Sequence, residues 1–434
     1  MNIAFLFLVL LGTMLLGVPI AVALGLTSVL TLLVFGQESL ASMALKFFQA
    51  TQKYELLALP FFILAGTFLT TGGAARRLID FANAAVGHFP GGLALAAVVA
   101  CMLFASISGS SPATVIAVGS IAIAGMVRNG YSLKYATGVV INAGTLGILL
   151  PPSIVMVVYA AATEQSVGRL FAAGIVPGFI LALMLMIAVY VSSRLLDTPR
   201  VAWGGWRNLG VKAVNAIWGL LLVVIVLGGI YVGAFTPTEA AAMSAVYAFI
   251  VAVFIYRDLK LKDVFPVLLQ SGRVVVMLMF IISNAGLFAY VLTSQQIPQA
   301  LTEAMARGNV QPWMFLLSIN IAMLIAGNFM EPTSIVLIFA PIVFPIAMRL
   351  GINPIHLGVL MTVNMEIGLV HPPVGLNLFV AAGVTRQSLW DVTKAALPWL
   401  AILVVFLILI TYVPILSTWL PDLAFGKDQF LSDQ

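Results

Sequence analysis

Residues Gly147–Pro152 read GILLPP and residues Gly368–Pro373 read GLVHPP, each a glycine and a Pro-Pro pair set inside a long apolar segment. Proline removes a backbone donor and clashes with the preceding turn, so each pair marks a break in a helix. A shift of 218 to 221 positions aligns far more than these two strings. Val18-Pro19 meets Thr236-Pro237, Gly66 meets Gly286, Arg128-x-Gly130 meets Arg349-x-Gly351, and Pro177 meets Pro398. The chain therefore reads as two homologous halves, residues 1–195 and 216–420, joined by a linker over 196–215 and followed by a tail over 421–434.

With 62% hydrophobic and only 8% charged residues in 434, the chain cannot face water. It reads as an all-α polytopic membrane protein with roughly ten spanning helices embedded in a lipid bilayer. The net charge of +5 belongs to loop lysines and arginines at a membrane face, and no basic cluster interleaved with aromatics suggests nucleic acid. Cys101, the single cysteine, reads as core packing. The N-terminal run MNIAFLFLVLLGTMLLGVP lacks a basic leader and continues past Pro19, so it reads as a retained span. Residues 3–35 are compatible with two spans or one bent helix. No HExxH, GxSxG or GxxxxGK[ST] string is present, which argues against an enzyme and against nucleotide-driven work.

Each half also contains two apolar arms too short for a full span. Residues 91–106 and 113–127 are about 15 residues each, or about 22 Å, against the roughly 20 residues that a bilayer requires. Between them lies SISGSSPA, Ser106–Ala113, polar backbone that cannot face lipid. The spacing predicts a re-entrant helical hairpin over 91–127 and, around GNFMEPT (Gly327–Thr333), a second over 312–348. Broken helices are expected over 132–162 and 355–380, and amphipathic arms along the membrane surface over Leu40–Lys53 and Leu259–Arg273. Five crossings per half invert the second repeat relative to the first. Charge agrees: with both termini outside, only Lys46, Lys53, Arg169, Arg307, Arg349 and Lys427 of the twenty basic residues fall on the outer face.

Paired broken helices are the strongest sequence pointer to a transport site. Helix starts at Pro112, Pro152, Pro332 and Pro373 carry partial positive charge and suit a carboxylate. With Ser110, Ser111, Ser153 and Thr333 they form the candidate substrate set. Unwound carbonyls and hydroxyls suit a hard cation such as Na+. One candidate sodium site comprises Ser106 and Ser108, near Ser110 and Ser111, facing Gly147 and Pro151; the other comprises Asn328, Gly368 and His371, near Thr333. Glu331 and Glu366 are the two deep carboxylates and candidate coupling groups. The residues alone leave open a stand-alone carrier or ion antiporter of the same architecture.

The strings SGSSPATV, NAGTLGILLPPSIVMVVYA, GNFMEPTSI, PIVFPIA and NMEIGLVHPPVGLNLFV resemble the large membrane subunit of tripartite ATP-independent periplasmic (TRAP) transporters, nearly end to end. The resemblance is closest to the branch that moves C4-dicarboxylates. It implies an elevator-type, sodium-driven importer of organic acids in the bacterial inner membrane, fed by a periplasmic binding protein and enlarged by a small four-helix membrane subunit. The dicarboxylate branch usually has threonine where this chain has His371.

Overall fold

A computed structural model describes residues 2–36, 39–196, 198–199 and 201–427. These residues form helices and turns, with no strand among them. The first half runs α1 (Asn2–Leu15), α2 (Ile20–Phe35), α3 (Leu40–Gln49), α4 (Ala58–Thr71), α5 (Ala74–Val86), α6 (Gly92–Ser108), α7 (Ser111–Arg128), α8 (Leu133–Gly144), α9 (Ile154–Thr163) and α10 (Val167–Leu195). The second runs α11 (Gly205–Tyr231), α12 (Pro237–Ile250), α13 (Leu261–Ser294), α14 (Ile297–Arg307), α15 (Pro312–Gly327), α16 (Pro332–Arg349), α17 (Pro354–Val370), α18 (Leu376–Thr385), α19 (Leu389–Tyr412) and α20 (Ile415–Phe425).

Local chemistry sets many of these starts. Ser39, Ser132, Ser166 and Ser388 cap α3, α8, α10 and α19, each accepting a backbone N–H three residues on. Thr236 and Glu239 form a reciprocal capping box on α12. Proline occupies the first turn of α7, α12, α15, α16 and α17, where its missing N–H costs nothing.

The order of elements repeats closely. Adding 221 to the bounds of α7 gives those of α16, and the same shift carries α9 to within a residue of α18. Packing repeats as well. Between the halves, α2 lies on α13 and α12 on α4, while α7 lies on α18 and α16 on α9, so each hairpin's second arm rests on the helix that follows the break of the other half. α20 has no first-half counterpart among the described residues; it packs on α10, where the Arg169 guanidinium donates to the Phe425 and Gly426 carbonyls at 3.2 and 2.9 Å.

Eight stretches among the described residues are long and apolar enough to cross a membrane: Tyr54–Thr71, Ser111–Arg128, Val167–Leu195, Gly205–Tyr231, Pro237–Ile255, Leu261–Ser294, Pro332–Arg349 and Leu389–Tyr412. Two of these are hairpin arms, while the broken helices fall short because each is split in two. α1 and α2 are separate and antiparallel, with Phe5 near the start of one against Phe35 at the end of the other, ring centroids 5.2 Å apart. They are two short helices, not one bent one.

Three expected boundaries shift. Leu259–Arg273 is not a separate arm: from Leu261 it is continuous with the next span in the 34-residue α13. No helix-stopping residue follows the amphipathic stretch there, whereas Thr51-Gln52-Lys53 ends α3 in the first half. The second half of the linker, from Gly205, is the start of α11, and the tail is helical as far as Phe425. Residues 428–434 of the tail lie outside the described residues.

Candidate functional site

The first hairpin turns in two residues. Gly109 ends α6 in the left-handed region (φ 60°), which favours glycine, and extended Ser110 leads into α7. Hydroxyls close the tip on itself: Ser108 Oγ lies 3.0 Å from Thr114 Oγ1, and Thr114 donates to the Ser110 carbonyl at 2.9 Å. Among the described residues, the Ser106 hydroxyl hydrogen-bonds only to the Met102 carbonyl of its own helix, at 3.4 Å.

The first break runs from Thr145 to Ser153. A 3₁₀ turn over Thr145–Ile148 is followed by the cis Pro151-Pro152 peptide, and Ser153 caps α9, donating to the Ile148 carbonyl and accepting from Met156 N. Tip and break meet backbone to backbone. A Cβ on Gly147 would lie 2.6 Å from the Ser110 oxygen and 2.8 Å from Ser111 Cα; one on Gly109 would lie 2.5 Å from the Pro152 oxygen.

The second half repeats this contact with different side chains. Gly327, ending α15, sits so close to Gly368 that a Cβ on either would come within 2.9 Å of the other's Cα. Asn328 Oδ1 and His371 Nδ1 are 2.8 Å apart and bridge tip to break. The Pro372-Pro373 peptide is also cis. Joining the halves, Asn377 Nδ2 in the first turn of α18 donates to Ser111 Oγ in the first turn of α7 at 2.7 Å. Both residues are buried, and Asn377 Oδ1 has no hydrogen-bond partner among the described residues.

Most of the expected residues are thus brought together, with corrections. Ser108, Ser110, Ser111, Gly147 and Pro152 lie at the first contact, with Pro151 next to it in the break, and Asn328, Gly368 and His371 lie at the second. Pro152 and Pro373 do not begin helices; they lie in the bends, and α9 and α18 start at Ile154 and Leu376, behind the caps Ser153 and Gly375. Ser153 spends its hydroxyl closing the break. Pro332 does begin α16, but Glu331 caps that helix, accepting from Ser334 N and Ser334 Oγ at 3.0 Å each and from the Thr333 hydroxyl. The positive end of α16 therefore already faces a carboxylate, and Thr333 is engaged with it. Glu366 is buried in α17, with neither carboxylate oxygen hydrogen-bonded among the described residues. Thr114 and Asn377 escaped the sequence reading. Asn377 had a signal, a lone amide in the apolar run VGLNLFV.

Residues 7–416 match the family described as the DctM component of the tripartite ATP-independent periplasmic transporter. The chain belongs to that family. It is 62% identical to the C4-dicarboxylate TRAP transporter large permease protein DctM of Pseudomonas aeruginosa, over 92% of this chain and 94% of that protein. The Vibrio cholerae protein of the same description is 55% identical over 99% of both chains. Among solved structures, the YdaH transporter of Alcanivorax borkumensis, described as having an unusual topology, shares the fold with a TM-score of 0.62 at 16% identity, covering 87% of this chain and 88% of that one. This DctM-family chain is a transporter permease, not an enzyme.

Proposed function

We propose that the chain is the large membrane subunit of a sodium-coupled importer of C4-dicarboxylates, supplied by a periplasmic binding protein and completed by a small four-helix membrane subunit. The substrate class is supported by the names of the relatives above. The observation that carries the site is the buried Ser111–Asn377 hydrogen bond, which joins the first turns of α7 and α18. Two helix starts meeting there supply free amides and partial positive charge to a substrate carboxylate. Beside them the Ser110 and Pro152 carbonyls, crowded against Gly147 and Gly109, are donors of the kind a hard cation takes. The Gly327–Gly368 contact with Asn328 and His371 frames the second sodium.

Sodium at each contact would hold tip against break, and the ordered first turns would then receive the dianion. The breaks and hairpins, packed as one body, would slide as an elevator against the scaffold of α2, α4, α12 and α13 in the inner membrane, with both termini outside. The test is uptake of radiolabelled succinate into proteoliposomes holding this chain and the small subunit, with binding protein outside. Uptake that requires both the binding protein and an inward sodium gradient is expected. Uptake indifferent to sodium would overturn the coupling, and uptake without the binding protein would point to a stand-alone carrier.

A further inference from the structure

A cavity of about 520 Å³ lies away from the breaks, where α3 and the segment after it face α13 on one side and the end of α9 and the middle of α16 on the other. Its walls are mostly small and apolar; Ala50 and Gly286 approach so closely there that a Cβ on Gly286 would lie 2.2 Å from the Ala50 methyl. Two cations line it. The Lys46 ammonium sits 5.0 Å from the Tyr290 ring centroid and has no carboxylate partner among the described residues. Lys53 donates to the Ala161 carbonyl at 2.7 Å, one of the carbonyls left open at the end of α9, and lies 3.4 Å from the carboxylate of Glu164. Glu164 is 83% exposed at its side chain, so this ion pair is held weakly and a carboxylate from solution competes for Lys53.

Two ammonium groups facing one solvated acid leave the cavity net positive. We infer that it is a second, outer binding site for the dicarboxylate, with Lys46 and Lys53 each holding one carboxylate before the substrate reaches the breaks. The inference rests on the substrate class proposed above. α9 is ten residues long and spans about 15 Å, so its far end is held by Lys53 while its near end stands at the first break. A dianion that draws Lys53 from Ala161 releases the far end of that helix, and an elevator cannot move α9 past α3 while the bond holds.

The test uses thiol protection in the complex with the small subunit, without binding protein. Cys101 is fully buried, so Gln49→Cys, at the cavity wall, supplies the reactive thiol; Ala162→Cys on the facing wall gives the same readout if the first variant does not insert. Succinate should slow maleimide alkylation at least fivefold and acetate at equal ionic strength should not, and Lys46→Gln with Lys53→Gln should remove the protection. No protection by succinate, or equal protection in the double variant, would overturn the site. Succinate uptake by the unsubstituted complex separates the two readings: uptake without lysine-dependent protection sinks the outer site alone, and protection without uptake sinks the transport reading while the site stands.

Discussion

Gly147→Ala tests the meeting of the first tip and break. The added methyl would lie 2.6 Å from the Ser110 oxygen, 2.7 Å from its carbonyl carbon and 2.8 Å from Ser111 Cα. Ordinary contact begins at 3.4 Å, so the tip must withdraw by about 0.8 Å. All three atoms are backbone, and the tip is tied by the Ser108–Thr114 and Ser111–Asn377 hydrogen bonds, so no rotamer change relieves the clash. Overpacking of this kind costs about 1–3 kcal/mol, and here the cost falls on the contact between tip and break. Sodium-driven succinate uptake should fall roughly 5- to 150-fold, while the complex elutes unchanged from a sizing column. Gly125→Ala is the control: it lies in α7, the helix that follows the tip, and nothing stands within 4 Å of the added carbon. Its uptake should match the unsubstituted chain. Uptake by Gly147→Ala within twofold of that control would refute the reasoning.

Three further outcomes follow from named contacts. Ser111→Ala and Asn377→Ala should each lower uptake about 5- to 10-fold, the worth of one hydrogen bond, and the double variant should be no worse than the poorer single one; multiplying losses would show that the bond is not the shared element. His371→Ala removes the bridge to Asn328 and should raise the sodium concentration for half-maximal uptake about tenfold, where an unchanged sodium dependence would remove the second site. Glu331→Ser keeps a capping oxygen and should retain uptake, whereas Glu331→Ala should lower the thermal midpoint through loss of a cap worth about 1 kcal/mol. If Glu331→Ser abolished uptake, the carboxylate itself would be needed for transport.

The hairpins and breaks were legible because lipid forbids their alternatives. Polar, Gly- and Pro-rich backbone at Ser106–Ala113 has to lie within protein, and the helix ends found there are within two residues of those expected. The continuity of α13 was not legible. A change from amphipathic to apolar sequence reports a change of surroundings, and a helix passes from one to the other without a break unless a stop residue intervenes. Depth makes Glu331 a candidate coupling group, and the string Glu331-Pro332-Thr333-Ser334 gives its carboxylate a local partner set as well, in a capping position where glutamate is not the usual residue. The partners of Thr114, Ser108 and Ser110, are local to the tip, whereas Asn377 gains its role from a partner that only the folded chain brings near, since Ser111 is 266 positions away.

That distance bears on coupling. The start of α7 contributes its N-cap Ser110 to the proposed ion site and its first residue, Ser111, to the proposed anion site, and α7 rests on α18 from the other half. An ion that fixes the Ser110 carbonyl against the Gly147 break also fixes the hydroxyl that receives Asn377, so ordering required by one ligand is already complete for the other. Linkage demands that the benefit run both ways, and couplings of about 1–3 kcal/mol are typical. Cutting Ser111 from Asn377 leaves the Ser110 carbonyl in place but severs the path between repeats. Ser111→Ala should therefore leave sodium binding nearly unchanged in the absence of substrate and weaken chiefly the increase in sodium affinity that succinate brings.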